Sequence, residues 1–125
     1  PLLSKNGFTL CSVVTKTGRK HQIRVHAQSA GFPLVGEKLY GADEEYYLEF
    51  CRNGWREEWL PVLGMRRQAL HARTFGFVDD GPGFVASLPG DFLAFLTDRL
   101  ELESDCEALL EDKARIWSEA QFRGE

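Results

Sequence analysis

Residues 19–33 constrain the fold more than any other stretch of the chain. Ile23, Ala27 and Ala30 recur at i, i+4 and i+7, which gives a helix one apolar face, and Gly31 followed by Pro33 stops it. The turn Lys16-Thr17-Gly18 leads in, so the chain must set a short helix, from Arg19 or Lys20 to Ala30, between two breaks. Arg24 and Gln28, with His21 one turn earlier, lie on its polar side, as suits a helix with one side on a core and the other toward a groove.

The remaining pattern alternates between strand and helix signals. Residues 8–15 are a β-branched and aromatic run without Gly or Pro and predict a strand. Residues 33–40 predict a short loop or strand, and residues 43–52 a helix with Tyr47, Leu48 and Cys51 on one face. Residues 53–65 hold Trp55, Trp59 and Pro61 and predict a loop with one helical turn. Residues 68–78 alternate, with Leu70, Ala72 and Thr74 on one side and His71, Arg73, Phe75 and Phe77 on the other. The turn chemistry of residues 79–83 then makes 69–88 a hairpin. Pro89-Gly90-Asp91 opens a helix, capped by Asp91, with Phe92, Phe95, Leu96 and Leu100 at helical spacing. A capping box at Ser104-Asp105-Cys106-Glu107 opens a last helix over 105–121. Strands followed by terminal helices within one short chain predict an α+β fold.

A length of 125 residues with 43% hydrophobic and 12% aromatic residues permits a packed core and excludes a disordered chain. No apolar run approaches the roughly 18–20 residues that cross a bilayer. The start Pro1-Leu2-Leu3-Ser4-Lys5 lacks the features of a signal peptide, so a cytoplasmic location without membrane contact is expected. A beginning at proline also points to a processed product or a piece of something longer. Cys11, Cys51 and Cys106 are odd in number and form no CxxC; buried or idle thiols are expected rather than a disulfide framework or a zinc site.

The formal net charge of −4 conceals a strong asymmetry. Residues 1–41 carry six basic groups (Lys5, Lys16, Arg19, Lys20, Arg24, Lys38) and one acidic group, Glu37; residues 91–125 carry four basic and ten acidic groups. Such a distribution bears on partners rather than on fold. The basic groups gather at Thr17-Gly18-Arg19-Lys20-His21-Gln22-Ile23-Arg24-Val25-His26, where a Gly turn feeding a helix start leaves backbone N–H groups free for an anion. A solvated basic helix accounts for the same composition. His21 and His26 stand roughly 140° apart around a helix of 3.6 residues per turn, so they do not converge on a metal.

Three ordered stretches carry a resemblance. The run from Thr17 to His26, then Gly31-Phe32-Pro33-Leu34-Val35-Gly36-Glu37-Lys38-Leu39-Tyr40-Gly41, then Arg67-Gln68-Ala69-Leu70-His71-Ala72, resemble the TGRxHQIRVH, GxPxxGDxxYG and RQxLHA patterns of the RluA-type RNA pseudouridine synthases. The resemblance covers about residues 8–100. It implies the C-terminal part of a pseudouridine synthase catalytic domain over 1–103, with a mixed, largely antiparallel sheet flanked by helices. Residues 104–125 would be an acidic helical extension outside the match.

The resemblance further implies isomerisation of uridine to pseudouridine in ribosomal or transfer RNA, with no cofactor and no metal. A catalytic aspartate in a segment close to HRLDxxTSG does the chemistry in that family, and no aspartate of this chain has such a context. The 125 residues alone are therefore expected to be inactive.

Carried over by position, Arg24 is the partner of the missing catalytic aspartate, holding it ionised and oriented. The resemblance implies that Leu70 and Ile23 line the base pocket, although a core leucine would look the same as Leu70 in the sequence. Lys16, Arg19, Lys20 and His21 contact RNA or start the helix, and His26 and His71 are structural. A basic groove and a pocket are what an enzyme needs that turns a base out of structured RNA. A sheet cut through its middle would expose an edge and invite self-association. Two rivals follow from the same residues: a non-catalytic RNA- or protein-binding module that retains part of the fold, and a general anion-binding domain.

Overall fold

The computed structural model describes residues 1–77, 81–102, 108, 110 and 111. Its elements are the strands β1 (Leu3–Lys5) and β2 (Phe8–Leu10), the helices α1 (Gln22–Ser29) and α2 (Glu45–Asn53), a 3-10 turn (Glu57–Trp59) running into α3 (Leu60–Leu63), the strands β3 (Thr74–Phe77) and β4 (Gly81–Val85), and the helix α4 (Gly90–Leu100). Helices and two small antiparallel sheets make an α+β chain, as expected. No helix among the described residues is long and apolar enough to cross a membrane. The chain divides into two compact units, one of Pro1–Val14 with Ser87–Glu125 and one of Thr15–Ala86.

In the first unit β1 and β2 pair antiparallel, with Leu3 opposite Leu10 and Lys5 opposite Phe8. Asn6 and Gly7, both at positive φ, form the two-residue connection, a turn that the twist of a hairpin favours and that Asn-Gly adopts at little cost. The Asn6 side chain donates to the Arg99 carbonyl at 3.0 Å, and Phe8 meets Phe95 edge to face at 5.2 Å. Phe92, Phe95, Leu96 and Leu100 of α4 are buried, as their spacing requires, and Leu110 joins them. Pro89 occupies the cap position expected of Asp91, whose carboxylate instead accepts from the Phe92 N–H at 2.9 Å.

The strand expected over 8–15 stops at Leu10, and Val13 and Val14 are exposed. Its partner among the described residues, β1, runs out there, and β-branched residues make a strand only where a neighbouring chain accepts their hydrogen bonds.

In the second unit α1 falls where the apolar spacing and the Gly31 stop place it, and Gly31 adopts φ +86°. α2 also forms, but Tyr47, Leu48 and Cys51 are exposed, and Tyr46 turns inward to meet Trp59 edge on at 5.5 Å. Cys11 is exposed as well, so neither described thiol is buried; Cys106 lies outside the described residues. Trp59 and Met65 form the apolar centre of this unit.

The strand expected over 68–78 begins only at Thr74. The Ala69 N–H instead donates to the Val35 carbonyl at 2.8 Å, so that stretch is committed to the loop before α2. β3 and β4 form the anticipated hairpin, shorter than 69–88, with Phe75 opposite Phe84 and an irregularity before Phe77. Of the turn expected over 79–83, Gly81 to Gly83 belong to β4 instead, and the rest lies outside the described residues, as does the helix expected over 105–121 with its capping box, apart from residues 108, 110 and 111, which are helical.

Gly36 marks where this unit packs most tightly. It adopts φ +76°, its N–H donates to the Leu63 carbonyl at 2.8 Å, and a Cβ there would stand 2.0 Å from the Arg67 carbonyl oxygen. Gly36→Ala is expected to cost more than about 2 kcal/mol of stability, from strained φ and backbone collision together. Gly18→Ala, which meets nothing within 4 Å, is expected to stay within about 0.5 kcal/mol. Thermal melts of the two variants check the contrast.

Candidate functional site

The approach to α1 is held by Gln22. Its side-chain oxygen accepts from the Thr17 hydroxyl at 2.7 Å and from the Arg19 N–H at 3.3 Å, while its own N–H donates to the Arg19 carbonyl at 3.1 Å. This fastens the turn to the first helical residue, so the basic side chains on the turn start from a fixed backbone. Lys16, Arg19 and Lys20 are exposed, and among the described residues none is paired with a carboxylate. An open depression of about 340 Å³ is lined by Thr17, Arg19, Lys20, Gln22, Val25 and His26.

His21 does not join that exposed group. It is the residue before α1, at φ +54°, and its Nδ1 shares a 3.0 Å hydrogen bond with the Tyr40 hydroxyl. The two rings meet edge to face at 5.6 Å. One turn on, Arg24 lies over the same Tyr40 ring, 5.1 Å from its centroid.

Arg24 is gripped by Glu37. Its Nε donates to Oε1 at 2.5 Å and its Nη2 to Oε2 at 2.7 Å, the two-pronged geometry that guanidinium and carboxylate share. The Glu37 side chain has no exposed surface and that of Arg24 is 15% exposed. Oε2 also accepts from the backbone N–H groups of Leu39 and Tyr40 at 3.2 and 3.3 Å. Glu37 is the one charged residue buried among those described, and its acceptors are satisfied.

Burial pushes the Glu37 carboxyl up. The hydrogen bond from Arg24, the Tyr40 N–H, the charge of Arg24 and the Leu39 N–H outweigh it and hold the carboxyl below its usual range. The Arg24 guanidinium is correspondingly raised by the Glu37 hydrogen bond, against the effect of its burial.

Lys38, next in sequence, points elsewhere. Its ammonium donates to the Arg66 carbonyl and lies 5.0 Å from the Phe50 ring centroid and 5.2 Å from that of Trp55. Burial pushes its pKa down, the Glu37 charge works against that, and Arg24 adds to the fall. The loop is thus fastened on both sides, through Glu37 to α1 and through Lys38 to α2 and the tryptophan that follows it.

Of the residues singled out from sequence, Arg24 and His21 come together, through Tyr40. Ile23 is half-buried on the same helix. Leu70 is half-buried on irregular backbone before β3 rather than on a strand, and its N–H donates to the Gln68 carbonyl. His71 bonds backbone, as expected, with Nε2 2.9 Å from the Ala86 carbonyl. Sequence reasoning passed over Glu37 and Tyr40. The signal for Glu37 was present: it is the single acidic residue among the first 41, set beside six basic ones.

No family model matches the chain, and no solved structure matches it. Curated relatives do. The chain is 41% identical over 88 residues to an uncharacterized RNA pseudouridine synthase of Chlorobaculum parvum, a match covering 67% of this chain and 27% of that protein. It is 36% identical over 80 residues to ribosomal large subunit pseudouridine synthase D of Zymomonas mobilis, covering 61% of this chain and 22% of the relative. The protein of the same name in Xylella fastidiosa is 34% identical over 110 residues, covering 86% of this chain and 29% of the relative. The chain therefore spans about a quarter of the length of the curated relatives it matches, and over that stretch it is similar to proteins named RNA pseudouridine synthases.

The ion pair sets a pH dependence. Because the folded-state value of Glu37 lies below that of the unfolded chain, its stabilisation is present above the ordinary carboxylate range and is lost as pH falls through the depressed value. Glu37→Gln is expected to cost about 3–5 kcal/mol at pH 7, since it leaves Arg24 without its counter-charge. The gap between the parent chain and the variant should narrow below about pH 4, where an ordinary glutamate protonates. Urea unfolding at a series of pH values measures it.

Proposed function

We propose that these residues are the C-terminal part of the catalytic domain of an RluA-type RNA pseudouridine synthase, with residues 104–125 as an acidic extension, and that the whole protein isomerises uridine in ribosomal or transfer RNA in the cytoplasm. The observation that carries this reading is the coincidence of the shared motifs with one built constellation. The first motif supplies Arg24, the second supplies Glu37 and Tyr40, and the three side chains lock together.

In the reaction the bond from C1′ to N1 breaks, the base turns, C1′ joins C5 and the proton on C5 leaves. An aspartate supplied by another part of the protein acts on the ribose or base, and Arg24 keeps it ionised and in place. No cofactor or metal is needed. Lys16, Arg19 and Lys20 hold the RNA backbone at the depression beside α1, while Ile23 and Leu70 face the turned-out base. His21 acts from within, by fixing Tyr40.

The non-catalytic alternative keeps one observation in its favour: no segment of these 125 residues resembles HRLDxxTSG. The reading frame decides between them, since an upstream HRLDxxTSG-like segment removes the alternative and its absence removes the enzyme. As an isolated piece, these residues are expected to self-associate through an edge of the two-stranded β3–β4 sheet, where Phe84 and Val85 are exposed. Light scattering that finds only monomer at high concentration would count against that.

The product of the intact reading frame should release tritium from RNA bearing 5-tritiated uridine, and Arg24→Ala should slow release by about 100-fold or more. Full activity in Arg24→Ala would remove Arg24 from the chemistry. Lys20→Ala should instead weaken RNA binding and lower its salt dependence by about one charge.

A further inference from the structure

We infer that Glu37 is a positioning residue for the reaction: it clamps the Nε and Nη2 edge of Arg24 so that the remaining Nη1 edge is presented to the catalytic carboxylate. This rests on the function proposed above.

The geometry of the clamp carries it. A guanidinium has five N–H donors in a rigid plane. Glu37 takes the Nε and Nη2 side, and Nη1 makes no hydrogen bond among the described residues. The side chain keeps 15% of its surface exposed while that of its partner keeps none.

Glu37 has no freedom to release it. Swinging away would break two charge-assisted hydrogen bonds and leave the Leu39 and Tyr40 N–H groups without their acceptor. The plane of the guanidinium is fixed as well, because Tyr40 lies against it and the Tyr40 hydroxyl is held by His21. The backbone leading into Glu37 is pinned through the bonds that Gly36 and Val35 make to Leu63 and Ala69. A single arginine rotamer is therefore imposed from three directions, which is the requirement for a group that must orient another side chain within a fraction of an ångström.

A purely structural ion pair would have the same contacts, so the test must separate the two roles. The intact protein is assayed by tritium release from 5-tritiated uridine in RNA as Glu37→Gln, Arg24→Ala, the double variant, and Glu37→Asp, with the folded fraction of each set by circular dichroism. Glu37→Gln should lower kcat about 10- to 100-fold with KM for RNA within about two-fold of the parent, because orientation is lost and RNA contacts are not. Glu37→Asp, which retains the charge with a shorter reach, should recover part of that loss. In the Arg24→Ala background Glu37→Gln should have no further effect on kcat, since Glu37 acts only through Arg24.

An unchanged kcat in folded Glu37→Gln overturns the inference, and so does an equal loss in both backgrounds. An inactive parent protein with an intact HRLDxxTSG-like segment would instead overturn the proposed function, a result distinct from either. Should Glu37→Gln fail to fold, the Glu37→Asp comparison in the two backgrounds decides on the same criterion.

Discussion

The ion pair between Arg24 and Glu37 is the contact on which the motif-bearing part of the chain depends. α1 is only eight residues long and buries no residue fully, too little for a helix to hold itself in place in water. The loop before α2 has no strand or helix to stiffen it. The pair fastens one to the other, and the Leu39 and Tyr40 N–H groups, which a loop would otherwise offer to water, close on the same carboxylate. Burying two charges does not by itself favour folding over an apolar pair of equal size, because their desolvation roughly offsets their attraction. What the arrangement secures is a single orientation of one guanidinium.

The same contact changes the meaning of the charge distribution. Of the six basic residues among the first 41, Arg24 is neutralised by Glu37, Lys38 is held by a carbonyl and two aromatic rings, and Lys5 is paired with Glu101 at 2.5 Å. The three that remain exposed without a carboxylate partner among the described residues, Lys16, Arg19 and Lys20, are the ones on the turn that Gln22 fastens to α1. Positive charge available to a phosphate is thus concentrated within residues 16–20 beside α1, where attraction to a polyanion adds up, while the overall charge of −4 says nothing of it.

Much of the fold was legible where local chemistry decides it. α1 and α4 follow from apolar spacing and from Gly and Pro at their ends, and the β3–β4 hairpin from its turn residues. Expectation failed where a partner decides. Residues 11–15 are rich in β-branched side chains and 68–73 alternate, but neither stretch has a neighbouring strand among the described residues, and the second gives the Ala69 N–H to the Val35 carbonyl instead. The β1–β2 hairpin was passed over although Asn6-Gly7 signals it, because strands of three residues leave almost no periodicity to read. At the site, Arg24 was legible through its motif, but its partner was not: Glu37 lies 13 residues away, and helical or strand spacing links no residues so far apart. A lone acidic residue in a basic stretch was the available clue.

A crystal structure of the intact protein bound to uridine-containing RNA tests the central claim most directly. The account predicts one Arg24 guanidinium between two carboxylates, with Glu37 on Nε and Nη2 and the catalytic aspartate within hydrogen-bond distance of Nη1. An Arg24 that has left Glu37 to bind RNA phosphate, or an aspartate paired with some other cation, would contradict it.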